Sequence, residues 1–130
     1  MTNMKKLFAT AGTALHFALW SADVFAQGGY QNGAVTRVYA GHALGASIVF
    51  RMESGYYGIQ RGNIPACSVY NDEWALDLTT EAGRLAYSVV QDASRAHLYL
   101  QVYGTGTCDV MGDREDVRFL YSCSPGSCAP

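Results

Sequence analysis

Cys67, Cys108, Cys123 and Cys128 are the four cysteines of the 130-residue chain. Zinc would need close ligand pairs such as C-x2-C twice over, and these spacings do not supply them. An even count in a small exported domain reads as two disulfides, with three connectivities open. Between Cys123 and Cys128 lies Ser124-Pro125-Gly126-Ser127, a turn signal that brings chain ends together. The expectation is therefore Cys123 with Cys128 and, by remainder, Cys67 with Cys108.

The other chemistry-bearing residues give weaker patterns. Asp109, Asp113, Glu115 and Asp116 cluster, but Met111 and Arg114 break the regular oxygen spacing of a calcium loop. Gly104-Thr105-Gly106-Thr107 lacks the lysine of a phosphate loop and runs into Cys108, so it reads as a turn. His97, Ser68 and a carboxylate would have to converge for a hydrolytic triad. No Gly-x-Ser-x-Gly elbow supports one, and His97, at the start of a strand, reads as a surface residue. The sequence assigns no catalytic residue, no metal and no cofactor.

Tyrosine is the surplus: nine of them, all beyond residue 26, at 30, 39, 56, 57, 70, 87, 99, 103 and 121. Tyrosine and arginine on outward faces suit sugar or protein binding, because the ring stacks while the hydroxyl hydrogen-bonds. Tyr87 and Tyr121 read as packing residues.

These side chains need a scaffold. Residues 1–26 read as a signal peptide, with Lys5 and Lys6, an apolar run Leu7 to Trp20, and Val24-Phe25-Ala26 at the cut. Residues 27–130 then form a single domain, exported to the periplasm or beyond, with no membrane span after cleavage. That part holds seven arginines, no lysine and ten carboxylates. A mildly acidic surface without a basic run argues against nucleic acid.

Ala82, Leu85, Ala86, Val89, Val90 and Ala93 make one apolar stripe at helical spacing. Thr80 caps it and Glu81 suits the first turn. Strands are expected at Ala34 to Ala40, Ser47 to Met52, Ala66 to Tyr70, Trp74 to Thr80, His97 to Tyr103 and Asp116 to Ser122. Ile48, Phe50, Met52, Trp74, Leu98, Leu100 and Val102 should face inward. Val117, Phe119 and Tyr121 should share one face. The expectation is a mostly β (α+β) domain with one amphipathic helix and two disulfides.

One ordered set of features goes further: Ile64-Pro65-Ala66-Cys67-Ser68, Trp74, the helix, Gly104-Thr105-Gly106-Thr107-Cys108, Glu115-Asp116-Val117, and Ser122-Cys123-Ser124-Pro125-Gly126-Ser127-Cys128. From about Tyr30 to Pro130 the chain resembles the B subunits of subtilase cytotoxin and typhoid toxin, and a broader set of small exported bacterial proteins. The resemblance implies an OB-like barrel of five to six strands with one helix. It also implies a homopentameric ring, an enzymatic A-type toxin subunit as partner, and sites for a sialylated or other surface glycan. The toxin subunits carry a second-strand cysteine that pairs with the counterpart of Cys67. Ser47 to Met52 has none, which leaves Cys67 to Cys108, as in the broader set. Aligning Gly41 with the family's strand-end glycine puts Tyr30 near the family's sugar-contacting tyrosine and Gln31 at its serine. The expected glycan contacts are Tyr30, Gln31, Arg37 and Arg51, on a non-enzymatic binding module. The other reading is a monomeric periplasmic domain of structural or interaction type.

Overall fold

Short runs of alternating apolar residues produce five strands, and one helical stripe produces the helix laid against them. The structure, a computed structural model, describes residues 28–54 and 62–128. The expected leader and the aromatic loop residues Tyr56 and Tyr57 lie outside the described residues. The elements are β1 (Tyr30–Tyr39), a 3₁₀ turn His42–Leu44, β2 (Ser47–Ser54), β3 (Glu73–Asp77), α1 (Glu81–Ala96), β4 (Tyr99–Gly104) and β5 (Glu115–Cys123).

The strands close into a barrel in the order β1-β2-β3-β5-β4. β1 pairs antiparallel with both β2 and β4. Closure rests on a short parallel contact in which Trp74 and Ala75 of β3 meet Glu115 and Asp116 of β5. This is a small, mostly β, OB-like barrel with one helix between β3 and β4. Among the described residues, no helix is long and apolar enough to cross a membrane.

Ile48, Phe50, Met52, Trp74, Leu76, Leu100 and Val102 fill the interior, and Val90 and Ala93 of α1 pack against them. Cys67 is bonded to Cys108 and Cys123 to Cys128. The first closes a long loop onto the barrel, worth roughly 4 kcal/mol in the chain-entropy picture.

Four expectations need correction. Ala66 to Tyr70 is no strand: its backbone is spent on a turn, Ser68 N–H to Pro65 O, and on a loop contact, Val69 N–H to Asp113 O. His97 does not open β4 but ends α1 in the left-handed region, its N–H bonded to Ala93 O. The helix is rotated from the expected stripe. Gly83 is buried and Leu85 is 62 % exposed, because the first turn of α1 lies against the end of β3. A Cβ on Gly83 would sit 1.8 Å from Asp77 O, so only glycine can face the sheet there. Finally, β5 shifts register between Tyr103 and Gly104 of its partner. Val117 and Leu120 therefore pack on the core while Phe119 and Tyr121 are exposed.

Candidate functional site

Arg37 and Arg51 stand opposite each other across β1 and β2. A one-residue bulge brings them there. Val35 pairs with Met52, Thr36 is passed over, and Arg37 pairs with Arg51. Bulges re-aim side chains in this way. Two like charges directly opposite in a ladder repel. Asp72 relieves this, its Oδ2 accepting from Arg51 Nε at 2.6 Å. That hydrogen bond, and then the carboxylate charge, raise the Arg51 pKa. Asp72 is itself held beside β2, its carbonyl accepting the Met52 N–H at 2.9 Å.

Arg37 lies over the Tyr39 ring at 5.9 Å and reaches its hydroxyl at 3.5 Å. It has no carboxylate partner among the described residues. Thr36, Arg37, Arg51, Met52, Glu53 and Asp72 line an open depression of about 620 Å³. Its chemistry is two guanidinium forks, two carboxylates and a hydroxyl around an open floor. Such a set can donate to and accept from several hydroxyls at once.

The other two expected contacts do not join this site. Tyr30 begins β1, seven residues from Arg37, or about 20 Å along a strand. It pairs with Tyr103 of β4, which pairs with Phe119 of β5. Tyr103 and Phe119 stack with centroids 4.5 Å apart. Tyr121 lies beside them, its pKa raised by burial and then by Tyr103. Gly62 lies against the Tyr30 ring, where a Cβ would come within 2.4 Å of Cε1. Gln31 points into the barrel and is 1 % exposed. Its Oε1 accepts the Trp74 indole N–H at 2.7 Å, so in this structure it is closed to a surface ligand.

The acidic residues turn out to hold backbone. Glu115, fully buried, accepts from Gly29 N–H at 2.7 Å and Gly106 N–H at 2.9 Å. Asp116 accepts from Asp109 N–H at 2.7 Å and Val110 N–H at 3.1 Å. Burial raises its pKa against the pull of those two donors. Asp113 and Glu73 both bond Arg114 at 2.6 Å, and Arg114 stacks 4.0 Å from the Tyr70 centroid. The Gly104 to Cys108 and Glu115 to Val117 stretches are therefore two halves of one brace. Among the described residues, no group of three His, Cys, Asp or Glu could hold a metal ion.

Sequence reasoning missed Asp72 and Glu53 as lining residues. The only signal was an acid beside a turn, with the bulge that aligns them invisible. Comparison with family models, curated proteins and solved structures finds no match to this chain.

Proposed function

We propose that this chain is an exported, non-enzymatic module that binds a surface glycan in the β1–β2 depression. The facing of Arg37 and Arg51 above Asp72 and Glu53 carries the reading. Sugars present adjacent hydroxyls, and planar guanidinium forks and carboxylates match them in pairs. Tyr39 adds a ring next to Arg37. The resemblance to toxin B subunits supports the same function. A homopentamer would multiply weak single-site affinity through avidity, and an A-type toxin subunit would be its partner.

A glycan array followed by titration of hits tests it. Arg37→Ala should weaken binding by about tenfold or more, the loss of one charge-assisted hydrogen bond. Arg37→Ala lies on the exposed face and should leave folding intact. An array silent at high protein concentration, or hits unaffected by Arg37→Ala, sinks the proposal.

A monomeric interaction domain is the second reading. Val69 is 71 % and Tyr70 43 % exposed on a loop braced by Cys67–Cys108. Such a preformed apolar loop suits a protein partner. Native mass separates the two readings: a pentamer favours the toxin-like one, a monomer the interaction domain.

A further inference from the structure

We infer that the segment Cys123–Cys128 is a redox-released clasp over a buried carboxamide pair, Asn32 and Gln101. The strand order fixes its path. Cys123 ends β5, while the Cys128 carbonyl accepts from Asn32 Nδ2 of β1 at 3.2 Å. β4 lies between β5 and β1 in the barrel, so the segment crosses the outer face of β4. The residue there is Gln101, which pairs with Asn32 on one side and Tyr121 on the other.

Gln101 faces outward, away from Leu100 and Val102, yet it is 1 % exposed and Asn32 is 8 % exposed. Among the described residues, the Gln101 Oε1 atom has no hydrogen-bond partner. A buried carbonyl without a donor would be better solvated in water. The closed clasp therefore carries a cost that opening would relieve. Against this stand the Asn32 side-chain hydrogen bond, one local turn in which Ser127 N–H and Oγ–H both donate to Ser124 O, and the disulfide. Ser124, Pro125, Gly126 and Ser127 are all exposed and contribute little packing. The covalent bond is the principal latch.

Opening it needs a dithiol reductant. One thiolate attacks a clasp sulfur and forms a mixed disulfide. The second thiol resolves it. Two electrons and two protons pass to Cys123 and Cys128, which become thiols, while the reductant becomes a disulfide. The barrel persists, because its strand ladders do not run through the clasp and its other bond is anchored at buried Cys108, 8 % exposed, although Cys67 at its other end is exposed. Asn32 and Gln101 then meet solvent between Tyr99 and Tyr121. This device is independent of the glycan reading.

The test is graded reduction of the oxidised protein with dithiothreitol, with alkylation mapping and NMR of side-chain amides. Cys123 and Cys128 should alkylate first. Solvent exchange of the Asn32 and Gln101 carboxamides should then rise about tenfold or more. The Trp74 indole signal, held by Gln31 inside the barrel, should not move. The Cys123→Ser/Cys128→Ser double variant should reproduce the open state. Adding Gln101→Leu to it should restore protection of the Asn32 amide, since the cost of closure is gone. Carboxamides that stay protected after reduction, earlier alkylation of Cys67 and Cys108, or concurrent loss of the Trp74 signal would each overturn the inference.

Discussion

Trp74 donates its indole N–H to the Gln31 carbonyl at 2.7 Å inside the barrel, and both side chains are almost wholly buried. The largest core side chain thus has its one polar atom satisfied from β1, across the interior. Gln31→Leu keeps most of the volume but strands the indole N–H. An unsatisfied buried donor costs about 1–3 kcal/mol. Chemical denaturation should show a lower midpoint for Gln31→Leu with an unchanged slope. Glycan binding per folded molecule should be unaffected, which separates Gln31 from Arg37.

The start of α1 offers a contest between local propensity and packing. Alanine is a better helix former than glycine by about 1 kcal/mol. At Gly83 the backbone of Asp77 leaves no room for a Cβ. Gly83→Ala should therefore destabilise the protein despite the propensity gain, by about 1–3 kcal/mol as overpacking does elsewhere. Thr80→Ala removes the cap, in which Thr80 Oγ1 accepts the Gly83 N–H at 2.9 Å, and should cost about 1 kcal/mol. A Gly83→Ala variant more stable than the parent would show that α1 does not lie this close to β3.

How much of this was visible beforehand follows from period and phase. Ile48, Phe50, Met52, Trp74, Leu100 and Val102 alternate without interruption, and each is buried as expected. Phase failed where the backbone inserts or omits a residue. The β1 bulge at Thr36 and the β5 shift near Val117 each change which neighbours share a face. That is why Phe119 and Tyr121 separate from Val117, and why Arg37 meets Arg51. Leu85 was misplaced because a stripe of small residues has no sharp centre, and the Gly83 contact decides the rotation. Gln31 was expected at the surface because aligning Gly41 with the family's strand-end glycine puts it at the sugar-contacting serine; its partner, Trp74, lies 43 positions away.

Two carboxylates give opposite pH signatures. Thr79 holds Asp77 below its ordinary value, first through its hydroxyl at 2.6 Å and then through its backbone N–H at 2.8 Å. A lowered folded pKa means that the unfolded chain binds the proton more readily. Asp77 therefore contributes stability above its unfolded pKa, and this is lost as pH falls through the folded value. Asp116 is raised by burial. The folded chain binds that proton more readily, so stability declines as pH rises from the unfolded to the folded value. Denaturation midpoints from pH 2 to 7 check both. Asp77→Asn should flatten the acid limb, and Asp116→Asn should remove the opposing slope at higher pH. An acid limb unchanged in Asp77→Asn would count against the Thr79 contact in solution.

The two disulfides should differ in what their loss does. Cys67 and Cys108 are 41 positions apart, and Cys123 and Cys128 only five. In the chain-entropy picture the longer loop is worth roughly 4 kcal/mol and the shorter roughly 2 kcal/mol. The longer bond also ties the loop bearing Val69 and Tyr70 to the brace that Glu115 and Asp116 build around Gly106 and Asp109. The shorter one holds down a segment beneath which Gln101 Oε1 has no hydrogen-bond partner among the described residues, so part of its gain is offset. Cys67→Ala/Cys108→Ala should lower the thermal midpoint far more than Cys123→Ala/Cys128→Ala. For a domain of this size the difference should be on the order of 10 °C. Equal losses would mean that the clasp is integral to the barrel, in conflict with a segment whose residues from Ser124 to Ser127 are exposed.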